Sequence, residues 1–242
     1  MNADCTILVA SCDKYRDVER PFLAFFRRHW ADSPFELVVA GESGAEDGFD
    51  RKILVGRGKT WSQILVAALD EIATPYVLLL MNDYWLSADV DTALVLKRLD
   101  EAKKADALNY RLVPEPPRAV KNTAYAVSCK AGIWNREFLR SIASRTASAW
   151  EFERRGSYMF DERDPRPLLV SKRAEIPFVD AVRKGFYERA AIKLADREGV
   201  ALDLAVRTAP PLARRVIECA KALAFKTLPV ELIVRLQNGL HF

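Results

Sequence analysis

Residues 78–86 read LLLMNDYWL, an apolar run that stops at two polar residues before a pair of aromatic ones. The run extends back to Tyr76, and strands covered by helices on both faces read as continuous apolar segments of this kind. We therefore expect YVLLLM to be a central strand of the fold. Asn82 and Asp83 then lie at its carboxyl end.

The segments around this strand alternate between strand and helix patterns. Short β-branched runs predict strands at TILVAS (6–11), ELVVAG (36–41) and KILVG (52–56). Apolar residues at helical spacing predict helices in DVERPFLAFFRRHW (17–30), TWSQILVAALDEIA (60–73) and SADVDTALVLKRLDEAKKA (87–105). The expected N-caps are Asp17, Thr60 or Ser62, and Ser87. This alternation predicts an α/β, Rossmann-like fold, with a mixed, mainly parallel sheet flanked by helices.

The pattern changes after residue 106. Shorter strands are predicted at ALNYRLV (107–113), AYAVSC (124–129), PLLVSK (167–172) and IPFVDAV (176–182), and helices at NREFLRSIAS (135–144) and in the aromatic, acidic SAWEFERRGSYMF (148–160). From residue 187 onward the pattern is helical. We expect one α/β domain over residues 1–186 and a helical C-terminal extension over residues 187–242.

Composition narrows the class of protein. The 242 residues contain no apolar stretch of the roughly 18 residues that a membrane-spanning helix needs. The N-terminus lacks the pattern of an export signal, and the four cysteines form no C-x-x-C pair, so we expect a cytoplasmic protein with reduced thiols. With only two histidines, a His-rich zinc site and a Ser-His-Asp triad are disfavoured.

Two predicted strands end in polar clusters: Ser11, Asp13 and Tyr15 follow the first, and Asn82 and Asp83 follow the central one. In open α/β sheets, ligands bind at the carboxyl ends of the strands. An aspartate at the first cluster can accept hydrogen bonds from a nucleobase or ribose. Asp83 can hold Mg²⁺ or Mn²⁺, which neutralises a diphosphate leaving group. The alternative is that Asp13 and Asp83 cap the helices that follow them.

Four segments of the sequence are residues 9–39, residues 56–87, WNREFL (134–139) and SAWEFE (148–153). Together they resemble a group of bacterial GT-A glycosyltransferases that build surface polysaccharides. The resemblance implies that Ser11, Asp13 and Tyr15 surround a nucleotide and that Asp83 lies beside the diphosphate and any metal ion. Asn82 stands where relatives commonly carry an acidic residue. The metal then binds weakly, or lysine, arginine and helix-end amides replace it.

Transfer with inversion needs a carboxylate that removes the proton from the attacking hydroxyl. The resemblance places SAWEFE on the acceptor side, so Glu151 and Glu153 are both candidate bases. Residues two apart on a helix point to different faces, and we expect only one of them to enter the cleft. The alternative is that one glutamate pairs with a neighbouring arginine on a solvated face and the other caps the helix.

Three further residues have open assignments. Trp61 either packs under the donor or belongs to a capped helix start. Lys184, with its neighbours Arg183 and Gly185, either covers a diphosphate or forms a surface turn. Trp85 either fills the core or stacks on a sugar ring.

The net positive charge lies in the tail, because residues 181–242 carry 11 Lys+Arg and 6 Asp+Glu. Its basic, apolar helical pattern suits either contact with the inner face of the cell membrane or packing within the protein or across a homodimer interface. The basic residues are not interleaved with exposed aromatics, which disfavours nucleic-acid binding.

The sequence thus predicts a transferase that moves a sugar from a nucleotide diphosphate sugar to a hydroxyl of a lipid-linked surface glycan. The alternatives are a sugar-1-phosphate nucleotidyltransferase and a catalytically degenerate assembly or scaffold protein. The nucleotidyltransferase is disfavoured because SCDKYRDVERP (11–21) lacks the glycine-rich basic turn that such enzymes usually carry after the first strand.

Overall fold

The computed structural model describes residues 2–211 and is built around a seven-stranded sheet. In chain order, its strands are β1 (Cys5–Ala10), β2 (Glu36–Gly41), β3 (Arg51–Leu54), β4 (Tyr76–Met81), β5 (Tyr84–Leu86), β6 (Asn109–Arg111), β7 (Gly132–Asn135), β8 (Leu168–Val170), β9 (Phe178–Asp180), β10 (Val182–Arg183) and β11 (Phe186–Tyr187). The pairs β5–β9 and β10–β11 form two small separate sheets.

The order of strands in the large sheet is β3-β2-β1-β4-β7-β6-β8. The first four are parallel, β7 runs antiparallel to both β4 and β6, and β8 is parallel to β6. This confirms the predicted fold class, a mixed, mainly parallel sheet flanked by helices. It also confirms that YVLLLM is a central strand, because β4 has a paired neighbour on each side.

Six α-helices are described: α1 (Glu19–His29), α2 (Trp61–Glu71), α3 (Thr92–Lys104), α4 (Arg136–Ala143), α5 (Ala149–Gly156) and α6 (Arg189–Glu198). Thr60 caps α2 as expected, since its hydroxyl accepts from Gln63 N while the Gln63 side chain accepts from Thr60 N. The other two expected caps are wrong. Asp17 lies inside a short 3-10 helix that precedes α1. Residues 84–86 form β5, and the helix that was expected to start after Ser87 starts at Thr92, with Asp91 as its N-cap.

The core lies on both faces of the sheet. On one face, Phe25 of α1, Val95 of α3 and Leu194 of α6 pack against β1 and β4. On the other face, the packing comes from Leu65 of α2, Leu139 of α4 and Phe152 of α5. Alternate residues of β4 enter opposite layers, which explains why this strand is apolar throughout.

Trp85 fills the first of these layers. Its side chain is fully buried, and its ring lies 5.3 Å from that of Phe25 and 5.7 Å from that of Tyr187, measured between centroids. Its indole N–H donates to Val18 O at 3.2 Å. The structure therefore selects core packing over sugar stacking for this residue.

The predicted strand at residues 124–129 is wrong. These residues form turns, because side chains of α5 and the residue after it occupy backbone groups that a strand would use. The amide of Val127 donates to Ser157 Oγ at 3.0 Å, and that of Cys129 donates to Glu153 Oε1 at 2.7 Å. The segment predicted at 176–182 is divided between β9 and β10.

The segment after residue 186 packs on the sheet as far as it is described. Ala191, Leu194 and Ala195 of α6 join the first core layer, and Tyr187 N donates to Thr208 O at 3.1 Å. The basic tail (212–242) lies outside the described residues, so the boundary at residue 186 stays a prediction. Of the helices within residues 2–211, none has the length and apolar character needed to cross a membrane.

Candidate functional site

The carboxyl ends of β1 and β4 meet because these strands are adjacent and in register, with Ala10 opposite Met81. Asn82 Nδ2 donates to Ser11 Oγ at 2.7 Å and to Tyr15 O at 3.0 Å, and Ser11 Oγ donates to Glu19 Oε1 at 2.5 Å. Asn82 is 3% exposed. Its amide nitrogen is thus occupied in holding the two strand ends together.

Glu19 anchors this network from the first turn of α1. It is buried, and its second carboxylate oxygen accepts from Glu46 N at 2.8 Å. Burial raises the pKa of Glu19, and the hydrogen bonds from Ser11 and Glu46 oppose that shift. The network fixes the backbone on which Asp13 and Tyr15 are carried.

Asp13 does not cap the helix that follows it. Its carboxylate accepts from Ser43 N at 3.0 Å and from Ser43 Oγ at 2.6 Å, and Arg57 Nε lies 3.4 Å away. The hydrogen bonds from Ser43 lower the pKa of Asp13. An ionised carboxylate, 30% exposed and with each oxygen bound to Ser43, therefore lies beyond the end of β1, where loops from β2 and β3 converge.

Asp83 is followed by β5 and so caps no helix. The pairing of β5 with β9 places Tyr84 opposite Asp180, and Ala181 N donates to Asp83 O at 2.7 Å. Burial raises the pKa of Asp83 to about 6, and the nearby charge of Asp180 adds to that shift. A carboxyl group with a pKa raised in a strand-end crevice is a candidate functional group.

Cationic groups face this pair of carboxylates. Lys130 Nζ lies 3.7 Å from Asp180 Oδ1 and 5.1 Å from the ring centroid of Phe178. The charges of Lys130 and Arg207 lower the pKa of Asp83 and so partly offset the effect of burial. Asp180, Lys130 and Arg207 were not predicted from the sequence; the one available signal was an aspartate inside the apolar segment IPFVDAV.

Arg207 joins the end of the described chain to the segment after β1. Its guanidinium donates to both oxygens of Asp17, at 2.8 and 2.9 Å, and to Lys14 O at 3.0 Å. It also lies 4.7 Å from the ring centroid of Tyr15. Because the side chains of Arg207 and Asp17 are 6% and 9% exposed, this buried ion pair fixes the position of Tyr15.

The two candidate bases on α5 differ in their contacts. Glu151 accepts from Ala147 N at 2.7 Å and forms an ion pair with Arg155. Glu153 uses one oxygen, Oε1, for both Cys129 N at 2.7 Å and Ser128 Oγ at 3.0 Å. Within residues 2–211, its other oxygen makes no hydrogen bond. Glu153 therefore keeps an acceptor available, whereas both oxygens of Glu151 are occupied.

Glu153 and Asp83 are connected through Cys129 and Lys130, because Glu153 accepts from Cys129 N at 2.7 Å and Lys130 Nζ lies 5.7 Å from the ring centroid of Tyr84, the residue after Asp83. Burial raises the pKa of the Cys129 thiol, and the charges of Glu153 and Asp83 raise it further. Burial also raises the pKa of Tyr84, with further contributions from Cys129, Asp83, Asp180 and Glu153. The charges of α5 and of the β4 end are thus close enough to act on shared neighbours.

Trp61 and Lys184 lie on other elements of the fold. The ring of Trp61 packs edge-on against Phe152, 5.4 Å between centroids, at the contact of α2 with α5. Lys184 occupies the turn between β10 and β11 with a φ of 51°. The next residue, Gly185, accepts from Arg207 Nη1 at 3.2 Å, so this turn borders the segment that carries Tyr15.

The carboxylates that a divalent cation could use here are Asp83 and Asp180, which occupy neighbouring positions because the strand pairing sets Asp180 opposite Tyr84. Within the described part of the chain, no cluster of three or more His, Cys, Asp or Glu residues is suited to a metal ion. Mg²⁺ commonly uses one or two protein carboxylates and completes its coordination with phosphate oxygens and water. The donor set is therefore compatible with a cation held jointly with a diphosphate.

No protein-family model and no curated protein matches the sequence. Solved structures of two enzyme classes are similar in fold. The 2-C-methyl-D-erythritol 4-phosphate cytidylyltransferase of Thermus thermophilus aligns with a TM-score of 0.47 and 14% identity, over 82% of this chain and 100% of that one.

Two solved structures of glycosyltransferases give TM-scores and sequence identities of about the same size. S. aureus TarS in complex with UDP-GlcNAc gives a TM-score of 0.47 and 12% identity, over 76% of this chain and 60% of that one. The glycosyltransferase GlyE of Streptococcus pneumoniae gives 0.43 and 11%, over 71% and 46%. These similarities concern the fold.

Proposed function

We propose that the protein is a glycosyltransferase that moves a sugar from a nucleotide diphosphate sugar to a hydroxyl group of a bacterial surface glycan. The observation that carries this proposal is that Glu153, on α5, accepts from Cys129 N at 2.7 Å, while the next residue, Lys130, has its Nζ 5.7 Å from the ring centroid of Tyr84, which follows Asp83 at the end of β4. It provides one carboxylate for the donor side and a second for the acceptor side.

On the donor side, Asp13 accepts hydrogen bonds from the nucleobase or ribose, and Tyr15, held by Arg207, forms the adjacent wall. The diphosphate lies toward Asp83, where Lys130 supplies positive charge. Mg²⁺ or Mn²⁺, if used, is held by Asp83 and Asp180 and neutralises the leaving diphosphate. Asn82 contributes through its hydrogen bonds to Ser11 and Tyr15 and not as a ligand.

On the acceptor side, we assign the base to Glu153. Its free oxygen accepts the proton of the acceptor hydroxyl while that hydroxyl oxygen attacks the anomeric carbon. The bond from this carbon to the diphosphate oxygen breaks, and the nucleotide diphosphate leaves with the electron pair. Attack from the face opposite the leaving group inverts the anomeric configuration.

The acceptor is proposed to be lipid-linked, on the strength of the basic apolar pattern of residues 212–242. Such a tail would hold a cytoplasmic enzyme against the inner face of the cell membrane, where lipid-linked glycans are extended.

A thermal-shift screen tests the donor half of the proposal. The purified protein is heated with UDP, GDP, CMP or dTDP and their sugars, with and without Mn²⁺, because a ligand that binds the folded state raises the melting temperature. We expect a shift with one nucleotide class that is lost in Asp83→Ala. Asp32→Ala, at an exposed position after α1, is the matched control and keeps the shift.

The same preparation separates the alternatives. Consumption of a nucleoside triphosphate with release of pyrophosphate would replace the proposal with a nucleotidyltransferase. No shift with any nucleotide, together with an unchanged cellular role for Asp83→Ala, would replace it with a scaffold.

A further inference from the structure

Exposed aromatic rings are gathered in one place on this protein. Within residues 2–211, three aromatic residues have half or more of their surface exposed: Tyr125 (51%), Trp150 (66%) and Tyr158 (60%). All three line a single cavity of about 780 Å³. Scattered apolar residues on a surface are ordinary, but a cluster of large exposed rings marks an interaction site.

One wall of this cavity is held in a costly conformation. Tyr125 has a φ of +60°, a region that a bulky side chain rarely adopts. The carbonyl of Tyr125 accepts from Arg111 Nη2 at 2.7 Å, and Arg111 Nη1 donates to Pro116 O at 3.1 Å. Arg111 is only 1% exposed. A buried cation and a strained backbone together fix the loop so that the ring of Tyr125 faces solvent.

The opposite wall is the exposed side of α5 and the residues that follow it. Trp150 and Arg154 are one helical turn apart, with the guanidinium 5.8 Å from the indole centroid. Arg155 pairs with Glu151, which keeps this helix surface ordered. The cavity therefore combines flat rings with hydrogen-bonding groups on Glu153, Arg154 and Arg155.

We propose that this cavity binds the sugar rings of the acceptor glycan. The volume lies within the roughly 300–1,000 Å³ of ligand pockets, and rings with a few polar groups are the usual lining of such pockets. The apolar faces of pyranose rings stack on Trp150 and Tyr158, and their hydroxyls bond to the charged groups between. A lipid chain or an apolar peptide would remove water from those charged groups without offering them hydrogen bonds in return.

The position of Glu153 connects this cavity to the transfer reaction. Glu153 lines the cavity, and it is held against the segment 128–129 by two hydrogen bonds to Oε1. For a sugar hydroxyl in the cavity, Oε2 is the oxygen of Glu153 that these two hydrogen bonds leave available. The inference rests on the proposed function and extends it, because it gives the acceptor site a location and a carbohydrate specificity.

Binding of defined glycans tests the inference. Labelled protein is applied to a printed array of neutral, uronic-acid and phosphate-bearing oligosaccharides, with and without the nucleotide found by thermal shift, and the glycans that bind are titrated by calorimetry. We expect Trp150→Ala and Tyr158→Ala each to weaken binding about tenfold, and Trp150→Phe, which keeps a ring, to stay within about threefold. Leu204→Ala, at a half-exposed position away from the cavity, is expected to bind as the wild type does.

Three results would overturn the inference: no array glycan binds, binding persists unchanged in both alanine variants, or the protein instead floats with phosphatidylcholine vesicles and Trp150→Ala releases it. The failure of the proposed function is a separate outcome. Glycan binding without any nucleotide shift would retain the carbohydrate site and remove the transferase. A nucleotide-dependent rise in melting temperature that is lost in Asp83→Ala, without glycan binding, would support the nucleotide site of the proposed function and contradict the carbohydrate site.

Discussion

Asn82 and Asp83 are adjacent in the chain but differ in what they do. Asn82 donates two hydrogen bonds inside the joint between β1 and β4, whereas Asp83 makes no helix cap and lies among charged groups. An amide can donate to both Ser11 Oγ and Tyr15 O, and a carboxylate can donate to neither. The surroundings of residue 82 therefore favour an asparagine over an acidic residue, and the expectation of a metal site with one negative charge fewer stays a prediction.

Replacing Asp83 tests whether its ionised carboxylate destabilises the folded protein. Its folded pKa of about 6 exceeds the reference value of 3.8, so ionisation of Asp83 opposes folding increasingly as pH rises from about 4 to 6. We expect Asp83→Asn to raise the free energy of unfolding by about 1–3 kcal/mol at pH 8 and to have little effect at pH 4. Urea unfolding at the two pH values measures this.

The affinity for the proposed nucleotide donor should change with pH in the opposite direction to the stability. Because Asp83 must be ionised to hold a cation with the diphosphate, nucleotide affinity should fall as pH drops through about 6 in the wild type. A wild-type affinity that stays constant from pH 8 to pH 5 would contradict this role.

A second variant tests the assignment of Asn82. In Asn82→Asp, a carboxylate replaces the amide that faces the carbonyl of Tyr15 at 3.0 Å. We expect a loss of about 1–3 kcal/mol at neutral pH and no gain in Mn²⁺ affinity. Asn135→Asp is the control, because an aspartate also accepts the capping hydrogen bond from Phe138 N and should change stability by less than about 0.5 kcal/mol. Tighter Mn²⁺ binding in Asn82→Asp would show that this position faces the ligand.

At the scale of elements, the packing of α4 on α5 depends on Gly156. A Cβ atom added there would lie 2.7 Å from Ile142 Cγ2, a buried methyl group on a stiff β-branched side chain. Overpacking of this kind costs about 1–3 kcal/mol, which exceeds the helical gain of about 1 kcal/mol from replacing glycine by alanine. We expect Gly156→Ala to lower the free energy of unfolding.

A double-mutant cycle measures the contact directly. Ile142→Ala alone leaves a cavity, but in combination with Gly156→Ala the new methyl group has room. The double variant should therefore be less destabilised than the sum of the two single variants. Strict additivity would mean that the helices shift apart instead.

The elements that were predicted correctly are those whose evidence is local. The apolar run of β4 and the capping box at Thr60 can both be recognised within a few residues. The segment 124–129 has a strand-like composition, but its amides are bound by Ser157 and Glu153, some 25–30 positions away. Composition carries no information about such a partner.

The residues of the candidate site likewise fall into those that the sequence predicts and those that it does not. Ser11, Asp13 and Asp83 could be proposed because each directly follows, or lies close to, the end of a strand. Asp180 and Arg207 reach the crevice only through the pairing of β5 with β9 and through a contact that spans 190 positions, and neither lies within a recognisable motif.

For the whole molecule, the ion pair of Arg207 with Asp17 links the two ends of the described chain. Removing one member of a buried pair leaves the other charged and unpaired, which costs about 3–5 kcal/mol. We expect Arg207→Ala to destabilise the fold by this amount and to weaken nucleotide binding, because Tyr15 loses its support. Asp17→Asn combined with Arg207→Met removes both charges and should recover much of the stability but not the binding.

Chemical denaturation and calorimetric titration of the same variants separate the two effects. Equal destabilisation in the single and double variants would contradict the assignment of a buried, coupled pair.

This long contact also sets when a chain under synthesis could take up the nucleotide of the proposed function. Asp17 leaves the ribosome 190 positions before Arg207, an interval of roughly 10–40 s at common rates of translation. Near the end of that interval, once Val170 has been made, all the strands of the large sheet can assemble while the segment around Tyr15 still lacks its clamp. Products of translation that stop between Val170 and Arg207 would thus carry the sheet but not the support of Tyr15, and we expect them not to sequester the proposed donor.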